Sequence, residues 1–488
     1  MLERFADDLV GLVSPKRKLQ RLRYRHAAEA VDRLMGRDGY EGASRGRRMA
    51  GWHTSQQSAN AAIEVDGQLL RDRARDLVRN NPWAARGLQV LATNVVGSGI
   101  RPQLRVEDDG QRRELEDAWA RWAESTDCDA AGQHNFYGLQ EQVVRAAAEG
   151  GGCLVRRRFR RASDGLEIPM QLELLEVDYL DDHLDRELEG GGKILGGIEF
   201  DVLGRLRGYH LRYEHPGDRY LRSFESRFVP ASEVLHVFRA KRAGQVLGVT
   251  EFAPAITSLK ELKELTDAHL VQQKIAACFG ALVTKDPAED ELAEALPDAE
   301  AAGGEPGDEL ERLGPGLIQY LNPGEDVKFG DPPRADGLEP MVQTHLRAIA
   351  SSLGISFEAL TNDYRQVPFS AARMSWGESE RTFDSWRRGA VVPSFCAPVW
   401  RWWADARFLA TGQEVDVRPT WSSPRRLMLD PVKEATGAAT LIDNGLLSRD
   451  EWWRQHGYEP DRMRTEVSRD RERQEKPSEP ESGGKPTR

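Results

Sequence analysis

An α+β fold, with a largely antiparallel sheet in the first half and long helices around and after it, is what the sequence predicts. Three observations carry that prediction. Between residues 153 and 238 the chain reads as short β-rich runs: CLVRRRF, IPMQLELLEV, KILGGIEFDV, RLRGYHLRYE and RFVPASEVLHVF. Helical periodicity runs through Pro254–Phe279 and again from Glu339 to Gly354. Pro393–Gly412 is helical and rich in tryptophan. At 488 residues the chain is too long for one core, so about two to four subdomains are expected.

The elements follow in order. Residues 15–48 are locally basic and Gly-containing, which suits a mobile arm. GQLLRDRARDLVRN forms a helix, and Asn81-Pro82 then gives a cap followed by proline at the first helical position of WAARGLQVLATNVV. Gly97 and Gly99 end that helix, and IRPQLRV leaves it as a strand. Gln111–Glu124 places Leu115, Trp119 and Trp122 on one helical face, and a further helix covers Gly138–Glu149. Leu203-Gly204 marks a hairpin between two β-rich runs. In Pro254–Phe279, Ile256, Leu259, Leu262, Thr266 and Leu270 fall in register opposite lysines and glutamates. Residues 286–313 are acidic and hold Pro and Gly, hence exposed. Asp430-Pro431 opens a helix, and Ser448 with Glu451 forms a capping box for the next.

Composition excludes several classes. No apolar run approaches the eighteen or so residues of a membrane span, and MLERFADDLVGLVSPKRKLQ, with acidic residues before its short apolar patch, is not expected to act as a secretory signal. Cys128, Cys153, Cys278 and Cys396 lie far apart and form no metal-binding pair, so free thiols are expected. The net charge of −11 argues against gripping DNA along an extended surface, where clustered Lys and Arg are needed. Gly190-Gly191-Gly192-Lys193 lacks the first glycine, the Ser or Thr after Lys and the following helix of a phosphate loop, and reads as a turn. His236, in an apolar strand, reads as a satisfied sheet histidine. Asp178, Asp181, Asp182, His183 and Asp185 form the one carboxylate-rich cluster with a histidine, but consecutive acids on a turn do not show convergence. No catalytic residue, metal ligand or cofactor is expected, and the chain is not expected to be an enzyme.

The most informative stretch is Glu339–Arg388. A helix runs to Gly354, a further helical start is possible at Ser356, a polar loop follows, and a second helix begins at Ser370, whose hydroxyl could cap it. Asn362, Asp363, Tyr364, Arg365 and Gln366 sit between two helices, and such loops carry function more often than packing. Trp386, Trp400, Trp402 and Trp403 are candidates for packing against other helices or other subunits.

Taken together these blocks resemble the lambda-type phage portal proteins. RARDLVRNNPWAARGLQVLATNVVGSGIRPQ, GGIEFDVLGRLRGYHL with VPASEVLHVF, GQVLGVTEFAPAITSLKELKELTDAHLVQQKIAA, GLIQYLNPGEDVKF, AIASSLGISFEALTNDYRQVPFSAARMSW and DPVKEATGAATLIDNGLLSRDEWWRQHGY carry the likeness, across roughly residues 65–465. One departure is Phe369-Ser370-Ala371-Ala372-Arg373, where the family has Tyr-Ser-Ser-Ala-Arg; a hydroxyl pair is replaced by apolar atoms.

The resemblance implies a portal-like, mixed α/β wing with antiparallel strands, long stem helices and a helical C-terminal crown. It divides the chain into a basic arm (1–64), wing (65–253), first stem helix (254–281), clip with the acidic segment (282–338), second stem helix (339–354), channel loop (355–369), long wing helices (370–412), crown (413–465) and a disordered tail (466–488). It further implies a homo-oligomeric ring, expected as a dodecamer, at one vertex of the virion capsid and assembled in the host cytoplasm. Double-stranded DNA would pass through it without sequence specificity. Its partners would be the terminase large subunit, the major capsid and scaffold proteins, and head-completion or tail-connector proteins. Two other readings remain at this level: a metal-dependent DNA-processing enzyme built on Asp178–Asp185, and a head adaptor or scaffold without a channel.

Overall fold

The structure, a computed structural model, describes residues 47–220, 223–277, 282–284, 319–321, 337–365, 367–422, 430–458 and 460–475, with a few isolated positions besides. The chain divides into a first unit, Met1–Ser58, of which a short helical turn at Arg47–Met49 is described, and a second, Ala59–Arg488. Most of the basic arm, the acidic clip segment and Cys278 lie outside the described residues.

The second unit opens with α1 (Ala59–Asn80), which starts inside the stretch expected as arm. Asn81 then turns the chain into α2 (Pro82–Val96): its Oδ1 accepts from Trp83 N at 3.0 Å and Ala84 N at 3.3 Å, with Pro82 at the first helical position. Gly97 ends α2 at φ 53°, its N–H donated to Thr93 O at 2.7 Å. β1 (Arg101–Gln103), α3 (Asp109–Glu124) and α4 (Phe136–Gly150) follow, close to their expected bounds.

Eight strands come next. β2 (Cys153–Phe159) is the centre of an antiparallel sheet, with β3 (Met170–Glu176) on one side and the later β9 on the other. β4 (Arg186–Glu187), β5 (Lys193–Leu195), β6 (Ile198–Phe200), β7 (Leu206–Arg212) and β8 (Ser226–Pro230) make a five-stranded antiparallel meander, before β9 (Val234–Val237) returns to β2. The turn at Gly190-Gly191, both at positive φ, is the β4–β5 connection, as read from the sequence. At the β6–β7 hairpin Asp201 Oδ1 accepts from Leu203 N and Arg205 N, the local bonding that makes Asp a turn residue. Leu154, Leu180, Ile198, Tyr209, Leu211, Val229 and Val234 form a small core between the two sheets.

α5 (Ile256–Ala277) buries Ile256, Leu259 and Leu262 in the main core, whereas Leu270 and Val271 near its far end are exposed. β10 (Leu282–Thr284) and β11 (Gln319–Leu321) pair in parallel. α6 (Leu338–Leu353) packs against α5 and buries Leu346, Ile349 and Leu353. After α7 (Phe357–Thr361) comes a continuous helical run: α8 (Phe369–Trp386), a π-helical segment Arg387–Cys396, and α9 (Ala397–Thr411). The wide turns have a local cause. Pro393 has no N–H and its ring crowds the preceding turn, and the ladder re-forms with Ala397 N–H donating five residues back, to Val392 O.

β12 (Thr420–Ser422) pairs with β1 across the molecule. α10 (Pro431–Asp443) and α11 (Arg449–Gln455) are capped by Asp430 and Ser448, as expected. α12 (Pro460–Glu475) corrects an expectation: it continues helically through the first part of the stretch read as a disordered tail. Alternating pairs such as Arg462–Glu466 and Arg464–Asp461 stitch that charged sequence into a helix. The mixed α+β fold with antiparallel sheets, long helices and a helical C-terminal region is thus the one observed.

Candidate functional site

The polar loop is held at both ends by backbone chemistry. α6 stops at Gly354, in the left-handed region at φ 67°, where an added Cβ would meet Thr382 Cγ2 at 2.7 Å. Ser356 Oγ accepts from Ala359 N at 3.1 Å and starts α7, which ends at Asn362. Asn362 is the one non-glycine residue at positive φ (59°) among the described residues, a conformation its short amide side chain tolerates.

Within the loop, Arg365 forks onto Asp363: Nε to Oδ1 at 2.9 Å and Nη2 to Oδ2 at 2.8 Å, with the Arg365 backbone N–H on Oδ1 at 3.1 Å. The guanidinium hydrogen bond and the backbone bond hold the Asp363 carboxyl down at about 2. Tyr364 between them is 55% exposed. Gln366 lies outside the described residues. Pro368, at ψ 147°, precedes α8 and makes no side-chain cap bond, so Ser370 falls inside the first turn rather than capping it, a correction to the sequence reading.

Beneath the loop lies a groove of about 780 Å³ whose floor is Trp83, Val342, Leu346 and Phe357, with Glu339 and Asn362–Arg365 along its rim. Trp83 and Phe357 come from elements far apart in sequence, so their meeting was not readable from either segment alone.

Of the two surfaces expected for the tryptophans, other helices or other subunits, the structure shows the first. Trp386, Trp400, Trp402 and Trp403 are all buried inside their own protomer and cannot form a subunit face. Trp119 is the hub: its ring lies 5.0 Å from Trp400, 5.3 Å from Trp403 and from Trp122, and 5.2 Å from Phe136. The physical reason is that the helical run 387–411 packs onto α3 and α4, which offer an aromatic surface of their own. Apolar side chains that are exposed include Leu270, Val271, Met374, Phe408 and Leu409.

The acidic cluster is built for packing. Asp178 is buried and takes Arg71 at 2.9 Å and Arg75 at 2.6 Å. Burial pushes its carboxyl up, but the Arg75 and Arg71 bonds and charges outweigh this and hold it at about 2. Asp181 and Asp182 receive Arg212 at 3.1 and 3.5 Å, and Asp185 accepts from Gly196 N at 2.6 Å. Glu176, Asp178 and His215 approach one another as metal ligands could, yet the Arg75 guanidinium bridges Glu176 (2.8 Å) and Asp178, supplying positive charge where a cation would sit. Arg71 and Arg75, one turn apart on α1, were missed from the sequence; their i, i+4 spacing was the available signal.

His236, read from the sequence as a satisfied sheet histidine, is a further correction. Its Nε2 is buried without a partner among the described residues, against the rings of Phe238 (4.6 Å) and Tyr209 (6.0 Å). Burial, then the nearby Arg71 charge, lowers its pKa to about 4. Cys128, Cys153 and Cys396 are buried free thiols, as expected, and burial pushes that of Cys128 up to about 12.

Fold and site together define an α+β chain that holds a self-paired polar loop outward over an apolar groove. The chain belongs to the phage portal proteins of the lambda family, whose model matches residues 45–387 and so takes in both sheets, α5, α6, the loop and α8. It is 27% identical over 433 residues to a probable portal protein of Halomonas phage phiHAP-1, covering 84% of this chain and 82% of that one. To portal protein B of Escherichia phage lambda it is 25% identical over 454 residues, with 84% of each chain covered. A chain of the solved virion of a native gene transfer agent particle aligns at 14% identity and a TM-score of 0.41, over 84% of this chain and 96% of that one.

Proposed function

We propose that the chain assembles with copies of itself into a closed ring, expected as a dodecamer, at one capsid vertex, through which double-stranded DNA enters and leaves the head. The observation that carries this reading is the family match across residues 45–387. On this account the ring docks the terminase motor during packaging and head-completion or tail-connecting proteins afterwards, and supplies no chemistry of its own.

Two features support a passage over a grip. A conduit must release every phosphate it touches, because each tight contact would have to be broken at each step. The chain is acidic overall, and in the loop Arg365 is neutralised by Asp363, so the loop presents little net charge to a passing duplex. Arguing against the alternative DNA-processing reading, the carboxylates of Asp178, Asp181 and Asp182 are engaged by Arg71, Arg75 and Arg212.

Negative-stain imaging of the purified full-length protein tests the proposal. Rings with a central hole wide enough for a duplex are expected. A compact oligomer without a hole would favour a head adaptor instead.

A further inference from the structure

α2 packs against α6, α7 and α8, the three helices around the polar loop. Trp83, Arg86 and Gly87 stand at i, i+3 and i+4 on α2 and so share one face. Trp83 belongs to the floor of the groove beneath the loop. At Gly87 an added Cβ would meet Leu353 Cδ1 of α6 at 2.5 Å and Leu360 Cδ1 of α7 at 3.7 Å. Without a side chain there, both leucines can seat against α2. At its other end α2 receives the residue that follows α8: Arg387 Nε donates to Val95 O at 2.8 Å.

Arg86 supplies what α7 lacks. α7 has five residues, and the chain leaves it at Asn362, at positive φ, so its last carbonyls have no helical amide ahead of them. The Asn362 N–H still reaches Glu358 O at 2.7 Å, but the Asp363 N–H turns to Thr361 Oγ1 at 3.3 Å and leaves Ala359 O open. Arg86 Nε donates to that oxygen at 3.3 Å, across 273 residues of sequence. A basic side chain on a terminal carbonyl acts as a C-terminal cap. Arg86 is half-buried, and among the described residues it makes no ion pair.

We propose that Arg86 is a positioning residue for the polar loop. It clamps the last turn of α7 to α2 and thereby fixes the direction in which Asn362–Arg365 leaves that turn. The Asp363–Arg365 fork ties the loop only to itself, so its orientation on the protein has to come from its base. A second tie, Ser375 Oγ to Glu358 Oε2 at 3.3 Å, joins the first turn of α7 to α8 and leaves the last turn to Arg86. The clamp needs no ring; its bearing on DNA passage rests on the function proposed above.

Hydrogen–deuterium exchange of the full-length protein tests the clamp. Arg86→Met keeps an apolar stem and good helix propensity and removes the donor. Backbone amides of residues 359–365 are expected to exchange about tenfold faster in it, with those of α6 and α8 and the melting temperature nearly unchanged. Arg86→Lys, whose ammonium can still donate to a carbonyl, should restore most of the protection. Unchanged exchange at 359–365 in Arg86→Met would overturn the proposal, as would an increase spread evenly over α2, α6 and α8. If Arg86→Met does not fold, Arg86→Gln, shorter and still polar, takes its place in the comparison. A loosened loop with unimpaired packaging in an infection assay would leave the clamp standing and count against the loop's part in packaging.

Discussion

At the residue scale, the most consequential side chain is Arg387. It is buried at the start of the π-helical segment, with Nε on Val95 O at 2.8 Å, Nη2 on Asn94 O and Nη1 on Glu380 at 2.6 Å. It thus satisfies carbonyls at the end of α2, where the helix dipole favours a cation. Arg387→Met would leave those carbonyls and Glu380 without it and is expected to cost about 3 kcal/mol, read from urea unfolding. His236 and Asp178 give a pH dependence of one sign. His236 titrates at about 4 when folded against 6.5 ordinarily, so the unfolded chain takes up its proton first and stability falls as pH drops from 6.5 towards 4. Asp178, at about 2 against 3.8, adds a further loss below about 4. The melting temperature should therefore decline on acidification from about pH 6.5, and His236→Phe should flatten the first part of that decline. An unchanged profile in the variant would remove His236 from the account.

At the element scale, the legible parts were those decided locally. The Asn81-Pro82 cap, the Gly97 and Gly354 stops, and the Asp430 and Ser448 caps each depend on side-chain and backbone atoms within a few residues. The polar loop is another local unit, and it yields a prediction. Shortening Thr361–Val367 should leave assembly intact, because α6 and α8 are fixed by their own buried faces, but impair DNA packaging or retention in an infection assay. Normal packaging by that variant would remove the loop from function. What the sequence hid was pairing between distant elements. Trp400 and Trp403 stand at i, i+3 but Trp402 falls on another face, so spacing alone does not say what covers these tryptophans. That Trp119 of the same chain meets Trp400 and Trp403, while Arg157 lies over Trp402 and Arg239 over Trp386, depends on how these helices dock on the rest of the chain. Likewise the Asp178 cluster could be read as acidic, but Arg71 and Arg75 reach it only because α1 lies against it.

At the scale of the whole molecule, the placement of the tryptophans bears on where subunit contacts belong. With the aromatic cluster spent inside the protomer, the exposed Leu270 and Val271 of α5, Met374 of α8, and Phe408 and Leu409 of α9 are among the apolar side chains available for a neighbour to cover. We expect charge substitutions there, Leu270→Glu with Val271→Glu above all, to weaken assembly while leaving the protomer's own melting temperature nearly unchanged; mass photometry at fixed concentration reads the first and calorimetry the second. The acidic balance of the chain and the self-paired loop then fit a passage for DNA better than a surface that holds it.

The most direct test of that central claim is single-particle imaging of the full-length protein with its mass measured in parallel. A closed ring of identical subunits, with a central opening that admits a DNA duplex, is the predicted result. A monomer at every salt concentration, or an oligomer closed at its centre, would contradict it.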